Sequence, residues 1–304
     1  MGRLAQINGA SIRHVEADGT IGRSPHCALR LEREEVSSQH ASLRWNGGAW
    51  ELRDLGSRNG TWLDGKRVEV GRSYPLAASA TLAFGHPDEQ WTLVSDAPPR
   101  VMVVNLVTGQ QLLAQDRVVG IPSEETPSAT VYANSSGVWC LETEDGRTVA
   151  LQSGTRFEVA DQPWRFCCPE VVASTVSTGA ASRTEELTLR FLVSRDEEYV
   201  ELRVEWSDRV LHLGSRSHNH LLLTLARARL KDLAAGEPVT SCGWVYKDDL
   251  VSAFESPQRI DNEVFRVRQH FARLVPDAGA EIVERRARTR QLRVGIHRLL
   301  ITTL

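Results

Sequence analysis

Lysine, paired cysteines and long apolar runs are all scarce in this sequence of 304 residues. Only three of its 36 basic residues are lysines, at positions 66, 231 and 247, and this arginine bias indicates a GC-rich, bacterial genome. The longest apolar run, residues 221–226, is far shorter than the ~20 residues of a membrane-spanning helix. The N-terminus also lacks the apolar core of a signal peptide. We therefore expect a soluble, cytoplasmic protein without a membrane partner.

The sequence has five cysteines, an odd number, and no two of them form a Cys-x-x-Cys pair. This spacing argues against a disulfide framework and against a zinc cage. A nucleophile elbow, a phosphate-gripping P-loop and a metal-binding motif are missing as well. We therefore expect no catalytic residues, no cofactor and no metal, which makes an enzyme the least supported class of function.

The net charge of −3 is an average over three unlike regions. Residues 1–100 hold 12 basic and 12 acidic side chains, residues 101–217 hold 10 and 17, and residues 218–304 hold 14 and 10. A neutral head, an acidic middle of net charge −7 and a basic tail of net charge +4 predict different partners for different parts of the chain. The length corresponds to about two or three domains.

The pattern up to residue 168 is one of short strands separated by turns. Asn46-Gly47-Gly48, between two apolar segments, predicts a hairpin. We therefore predict an all-β region of sandwiches, followed by a small, polar linker at 169–186. The tail predicts strands at 187–193, 199–206 and 209–213, helices at 218–234, 245–254 and 260–274, and strand-like segments at 282–287 and 292–302.

Three separated motifs in the first hundred residues carry side chains suited to phosphate. They are Gly22-Arg23, Ser37-Ser38-Gln39-His40 and Ser57-Arg58-Asn59-Gly60. A guanidinium group pairs with a phosphate dianion, and hydroxyl groups complete its hydrogen bonds. In this order and at this spacing the motifs resemble the forkhead-associated (FHA) domain, a β-sandwich that binds phosphothreonine peptides. The resemblance covers residues 4–96, and we predict an FHA domain at 1–98.

The resemblance implies roles for five binding residues. Arg23 would form the charge-assisted contact with the phosphate, and the Ser37 hydroxyl would donate to the same group. Ser38 stands where the family often has a basic residue, so its contact with phosphate would be weaker. Arg58 would lie near the phosphothreonine or the residues after it, and Asn59 would hydrogen-bond the backbone of the peptide.

Three further residues have implied structural roles. His40 would tie loops together without contacting the ligand, while Gly22 and Gly60 would permit close backbone approach or positive φ. The alternative is an FHA scaffold that no longer binds a peptide.

The middle of the chain resembles a degenerate copy of the first module. Residues 103–166 align with residues 4–93 when gaps are allowed. Ile121 stands where the first module has Arg23, neither serine motif survives, and the acidic charge of this region would repel a phosphate dianion. We predict a second, shortened FHA-like sandwich at 99–168 that serves as a spacer or a protein contact surface. The alternative is an unrelated β extension.

The last predicted helix has two distinct faces. Apolar residues spaced by three or four positions form a stripe for a core: Ile260, Val264, Val267, Phe271 and Leu274. A second stripe with the same spacing is polar and suits a major groove: Asn262, Arg266, Gln269 and Arg273.

The order of three strands, three helices and a hairpin resembles the OmpR/PhoB-type winged-helix DNA-binding domain over residues 187–304. The wing of that family usually carries Gly-x-Gly-Tyr, whereas the corresponding hairpin here is poor in glycine and rich in arginine. Its arginines suit contacts with phosphates or the minor groove: Arg285, Arg286, Arg288 and Arg290. The alternative is a winged helix used for protein contacts.

The fold class that follows is multidomain: an all-β FHA sandwich, a second degenerate FHA-like β-sandwich, and an α+β winged helix. Such a chain would couple the output of a Ser/Thr kinase to double-stranded DNA as a bacterial transcription regulator. Its phosphothreonine ligand would lie on another protein or in its own linker, at Thr175, Thr178 or Thr184. The alternative function is a phospho-dependent adaptor whose winged helix contacts another protein and not DNA.

Overall fold

The structure is a computed structural model that describes residues 1–7, 9, 11–88, 90–169, 186–207, 209–275, 278–279 and 281–304. Nearly all of the predicted linker, with its three threonines, lies outside the described residues. The chain divides into two compact units. The first contains residues 1–113, and the second contains 114–152 and the described residues from 186 onward. Residues 99–168, predicted to be one β domain, are therefore divided between the two units.

The first unit is built from short strands. Each is only two to six residues long, as the frequent turn signals predict. The strands are β1 (Arg3–Gln6), β2 (Ile12–His14), β3 (Asp18–Gly22), β4 (Leu29–Arg30), β5 (Ala41–Trp45), β6 (Trp50–Asp54), β7 (Thr61–Leu63), β8 (Lys66–Arg67), β9 (Ser73–Leu76), β10 (Thr81–Phe84), β11 (Gln90–Ser95), β12 (Met102–Asn105) and β13 (Gln111–Leu113).

The strands β1–β11 form the predicted sandwich. One sheet has the order β2-β1-β11-β10-β7-β8, and the other has the order β4-β3-β5-β6-β9. Along β6, Trp50, Leu52 and Asp54 are buried whereas Glu51 is partly exposed and Arg53 is exposed, which is the alternation of a strand with one face on a core. The two apolar side chains pack with Leu82 and Phe84 of the opposite sheet, so both sheets share one apolar layer.

The predicted hairpin at residues 46–48 is confirmed. The backbone N–H of Asn46 donates to Ala49 O at 3.0 Å, which closes the turn between β5 and β6. The side-chain oxygen of Asn46 accepts hydrogen bonds from the N–H groups of Gly48 and Ala49 at 3.0 and 2.9 Å. Gly47 has φ +102°, a conformation that glycine adopts without steric cost.

The second unit contains eleven complete strands and three helices among its described residues. Two more strands, β18 (Arg156–Val159) and β19 (Gln162–Cys167), are divided between the two units. The elements of the second unit are β14 (Val118–Ile121), β15 (Ala129–Ala133), β16 (Trp139–Thr143), β17 (Thr148–Ala150), β20 (Thr188–Val193), β21 (Val200–Trp206), β22 (Arg209–Ser215), α1 (Asn219–Ala234), β23 (Val245–Tyr246), α2 (Lys247–Phe254), α3 (Pro257–Leu274), β24 (Val283–Arg286), β25 (Gln291–Val294) and β26 (Arg298–Thr303).

Parts of the middle region repeat the topology of the first sandwich. The antiparallel sheet β14-β15-β16-β17, which we call the middle sheet, has the same sequential order as β3-β5-β6-β9. The hairpin β12–β13 likewise repeats the hairpin β1–β2. The turn between β15 and β16 is closed by Asn134, whose backbone N–H and side-chain oxygen both bond Val138 at 2.9 Å. Asn46 bonds Ala49 in the same way in the first sandwich.

The tail has the predicted three strands, three helices and hairpin, with corrected boundaries. The strand predicted at 292–302 is two strands in different sheets, because Gly295 approaches the backbone of Glu281 so closely that a Cβ would lie 1.8 Å from its oxygen. The second helix begins at Lys247, two residues later than predicted. The third begins earlier, at Pro257, because Ser256 caps it and proline suits a first helical turn.

The predicted apolar stripe of α3 faces the core of the second unit. Ile260, Val264, Val267 and Phe271 are fully buried there with residues of α1 and of the sheet β22-β21-β20-β26. In that sheet β26 runs parallel to β20, while the other pairs are antiparallel. No helix in the described part of the chain is long and apolar enough to cross a membrane.

Candidate functional site

His40 is a buried side chain that joins the loops carrying the phosphate motifs. Its Nδ1 accepts a hydrogen bond from the backbone N–H of Ser37 at 3.0 Å, so Nε2 carries the proton and donates it to Gly60 O at 2.9 Å. Burial lowers the pKa of His40, which keeps the ring neutral and preserves this tautomer near pH 7. The loop that contains Ser37 is therefore fixed to the loop that ends at Gly60.

Asp54 organises the third loop, although it lies outside the three sequence motifs. Its carboxylate accepts the N–H groups of Gly56 and Ser57 at 2.8 Å and the hydroxyl groups of Ser57 and Thr61 at 2.6 Å. Burial acts to raise the pKa of Asp54, but these hydrogen bonds outweigh it and hold the pKa below its usual value. An aspartate at the end of a strand, followed by glycine and serine, is the sequence signal for such a turn.

Arg23, Ser37 and Arg58 lie together at one edge of the first unit. The N–H of Arg23 donates to Ser37 O, and the N–H of Arg58 donates to Ser37 Oγ, each at 3.0 Å. Ser37 Oγ accepts this hydrogen bond and donates to no group among the described residues, so its own proton is available to a ligand. Both arginine side chains are exposed, and neither guanidinium group has a partner among the described residues.

Asn59 and Ser38 lie beside these three residues. Asn59 Nδ2 donates to Glu35 O at 2.8 Å, which joins the same two loops at a second point. Its amide oxygen has no partner in the described part of the chain and remains an acceptor. Ser38 is exposed, and its backbone oxygen accepts the N–H of Ser24 at 3.0 Å.

The two motif glycines occupy positions that exclude a side chain. A Cβ on Gly22 would lie 2.4 Å from Ser38 O, so the backbone of β3 could not approach that loop. Gly60 has φ +105°, a conformation that L side chains rarely adopt.

The five cysteines are free thiols, and four of them are buried. Burial raises the pKa of Cys27, Cys140, Cys167 and Cys168, so these thiols stay protonated and poorly nucleophilic. The described residues contain no group of three or more His, Cys, Asp or Glu side chains placed to hold a metal ion.

In the second unit, α3 buries a second face that the sequence pattern did not predict. Phe265 and Ala272 pack with Val118, Tyr132 and Cys140 of the middle sheet. This face lies about 130°, or more than a third of a turn, around the helix from the apolar stripe, at ~100° per residue. The middle sheet is therefore a contact surface for α3.

A buried network of charges accompanies this contact. Glu142, on β16, accepts two hydrogen bonds from Arg268 at 2.7 and 3.0 Å and pairs with Arg285 Nε at 2.8 Å. Arg285 also pairs with Asp261 at 3.0 Å, and Asp261 is bonded to Lys247. Burial acts to raise the pKa of Glu142, but the two arginines outweigh it and hold the pKa below its usual value.

The predicted reading face of α3 is only partly open. Arg266 and Arg273 are exposed, whereas Asn262 and Gln269 are half-buried. Gln269 Nε2 donates to Glu124 Oε2 at 3.4 Å, so an acidic side chain of the middle region lies beside this face.

The hairpin arginines also differ among themselves. Arg286, Arg288 and Arg290 are exposed. The side chain of Arg285 is only 7% exposed and is held by Glu142, so it is not available to the DNA phosphates that we expected it to contact. Arg285 pairs with two buried carboxylates, those of Glu142 and Asp261, so its role is to neutralise charge inside this unit.

Comparisons with known proteins cover about a quarter to a third of the chain. The FHA domain family model matches residues 19–85. The FHA domain-containing protein FhaB of Mycobacterium tuberculosis is 37% identical over 70 residues, which cover 23% of this chain and 45% of FhaB. The chain thus spans less than half the length of this relative.

Solved structures of FHA domains also match part of the chain. One, from a structural and functional analysis of phosphothreonine-dependent FHA domain interactions, is 27% identical and covers 30% of this chain and 92% of that chain, with a TM-score of 0.27. The FhaA FHA domain in complex with the intracellular domain of Rv3910 is 26% identical, covers 30% and 98% of the two chains, and has a TM-score of 0.28.

The buried network makes a prediction about stability. Glu142→Gln removes the negative charge between two arginines and should lower the stability of the α3 contact by about 3–5 kcal/mol, because an unpaired buried charge is costly. Hydrogen exchange of the α3 and β15 amides should accelerate accordingly. Glu144→Gln, an exposed residue of the same region, is the matched control and should change neither.

The pH dependence gives a second readout of the same prediction. Because the folded pKa of Glu142 is lowered, its contribution is present above the unfolded pKa of ~4.3 and is lost as the pH falls through the folded value. The difference between wild type and Glu142→Gln should therefore shrink in acid. Equal exchange rates at neutral pH would show that the network does not hold α3.

Proposed function

From the FHA domain formed by its N-terminal part, we propose that this chain is a signalling protein that binds phosphothreonine peptides. The observation that carries the proposal is that two arginines without a side-chain partner among the described residues and one serine hydroxyl lie together at one edge of the first unit. Arg23 and Arg58 supply positive charge, and Ser37 supplies a proton. This is the donor set that a phosphate dianion requires.

The loops that present these groups are held before any ligand arrives. His40 bonds two of them, Asp54 closes the third, and Asn59 adds a further link. A ligand that binds a rigid site loses less conformational entropy from the protein on binding. The amide oxygen of Asn59 supplies an acceptor for a backbone N–H of the bound peptide.

The middle region fits the role of a copy that does not bind phosphate. Its strand order and its asparagine turn repeat those of the first sandwich. Ile121, at the position of Arg23, is fully buried and apolar, whereas Arg23 is exposed. We infer that its role is to contact α3 within the second unit.

For the second unit we propose a winged helix that binds double-stranded DNA, so that a Ser/Thr kinase signal received by the FHA domain would reach transcription. Its support is the order of strands, helices and hairpin, and the exposed arginines on α3 and the hairpin. The self-ligand hypothesis concerns linker threonines outside the described residues and stays a prediction.

The rival is an adaptor that binds a protein through α3, and one observation favours it. Phe265 and Ala272 already place one face of this helix against the middle sheet. DNA binding depends on releasing counterions from phosphates, so its salt dependence distinguishes the two functions.

The first prediction concerns the phosphate contact. Arg23→Ala should weaken binding of a phosphothreonine-peptide library at least about tenfold, because a charge-assisted hydrogen bond is worth ~1.5–3 kcal/mol. Fluorescence anisotropy measures this, with the unphosphorylated library as the blank. Arg44→Ala, an exposed arginine on β5, is the matched control. If Arg23→Ala bound as tightly as the wild type, the assignment of the phosphate site would be wrong.

The second prediction concerns DNA. Combined Arg266→Ala and Arg273→Ala changes should weaken binding to a mixed-sequence duplex and reduce the slope of log K against log salt by nearly two, because each phosphate that a protein neutralises accounts for ~0.9 of that slope. Arg195→Ala with Arg209→Ala removes two exposed arginines from the sheet side of the same unit and should leave both quantities unchanged. Wild-type protein that binds no duplex at low salt would favour the adaptor.

A further inference from the structure

Two histidines form a hydrogen bond between the start of α1 and the middle of α3. His218 Nε2 lies 3.1 Å from His270 Nδ1, and the rings meet edge to face with centroids 5.2 Å apart. His218 immediately precedes α1 and is buried, while His270 is half-buried on α3. The bond therefore fixes the junction between β22 and α1 against α3.

This bond brings three arginines to one surface. On α3, Arg266 lies one turn before His270 and Arg273 lies one turn after it, so all three share a side of the helix. Arg216 precedes His218 by only two residues and is exposed. We call Arg216, Arg266 and Arg273 the junction surface.

The junction surface carries positive charge that comes from arginine and not from histidine. Burial, together with the neighbouring His270, Arg216 and Arg266, lowers the pKa of His218 to about 4, so the histidine pair is neutral near pH 7. Arg266 lies 3.7 Å from its acidic partner Glu263. Arg216 and Arg273 have no acidic partner among the described residues.

The surface is also strongly polar. In the described part of the chain, no large hydrophobic side chain of α1, of α3 or of the residues between β22 and α1 is exposed. Protein interfaces usually have a buried apolar or aromatic centre, which this surface does not offer. Its composition therefore favours a polyanion over an acidic protein.

The spacing of the arginines points to the same ligand. Arg266 and Arg273 are seven residues apart, which is about 10 Å along a helix that rises ~1.5 Å per residue. The major groove of B-form DNA is ~12 Å wide, so a helix with this spacing can reach phosphates on both sides of it. Arg216 lies beside this helix, where it can contact a further phosphate.

We propose that Arg216 is a phosphodiester-binding residue that acts together with Arg266 and Arg273 on double-stranded nucleic acid, and that the His218–His270 hydrogen bond is the positioning contact that holds it there. The inference rests on the proposed DNA binding of the second unit. Sequence patterns place the DNA-binding residues on α3 and on the hairpin. Arg216 lies on neither of these elements, so it adds a contact that those patterns did not predict.

The test is a salt titration of full-length protein with a mixed-sequence duplex. Arg216→Ala should reduce the slope of log K against log salt by ~0.9, the value for one phosphate contact. It should weaken binding equally for unrelated sequences, because a phosphate contact carries no base information. Arg216→Lys keeps the charge and should restore the slope, and Arg209→Ala, at the other end of the strand that precedes Arg216, should leave it unchanged.

The positioning role has its own readout. His270→Ala removes the hydrogen bond and should itself lower the salt slope, while adding Arg216→Ala in that background should lower it little further. If His270→Ala only destabilised the protein and did not affect Arg216, then Arg216→Ala would reduce the salt slope by the same amount in the wild-type and His270→Ala backgrounds. Such additivity would overturn the role of the histidine pair.

The possible results distinguish a failure of this inference from a failure of the proposed DNA binding on which it rests. Failure of the wild type to bind duplex at low salt would overturn both. Binding by the wild type with an unchanged slope for Arg216→Ala, or with an equal reduction for Arg209→Ala, would overturn only the junction surface. Competition by polyglutamate as effective as that by duplex at equal charge would overturn the assignment to phosphodiesters.

Discussion

The interaction on which the second unit depends is the ion pairing of Glu142 with two arginines. A carboxylate in this buried position is stable because Arg268 and Arg285 both neutralise it, and Glu142 in turn compensates the charge of Arg268 and, together with Asp261, that of Arg285. Since Glu142 lies on the middle sheet, Arg268 on α3 and Arg285 on the hairpin, one side chain holds three elements in register. The middle sheet is thus a structural part of this unit.

This constraint decides which arginines can serve a ligand. Arg268 and Arg285 are used internally, so the proposed binding of nucleic acid would draw its charge from the other side of α3 and from the hairpin tip. The junction surface lies on that side, because Arg266 and Arg273 are about 100°, a little more than a quarter of a turn, from Phe265 and Ala272 on the face that contacts the middle sheet. The structural arginine Arg268 and the proposed ligand-binding arginines Arg266 and Arg273 therefore occupy different faces of the same helix.

Sequence patterns located most of the strands, the three helices and the FHA motifs, because each depends on neighbours close in the chain. The hairpin at Asn46 and the apolar stripe of α3 are local in this sense. The partner of Arg268 is not, since Glu142 is 126 residues away and no periodicity links them. The second buried face of α3 could not be predicted from apolar spacing, because two of its four residues are charged. These residues are Asp261, Phe265, Arg268 and Ala272.

The number of arginines in the tail does not by itself predict which of them can contact phosphate, because their ion-pair partners are distant in the sequence. An arginine predicts a phosphate contact only if its guanidinium group is exposed and is not buried among carboxylates of the protein, and that condition is three-dimensional. Arg23 and Arg58 in the first unit and Arg216 and Arg273 in the second satisfy it within the described residues, whereas Arg285 does not. The exposed, unpaired arginine, and not the basic run, is the feature that both proposed sites share.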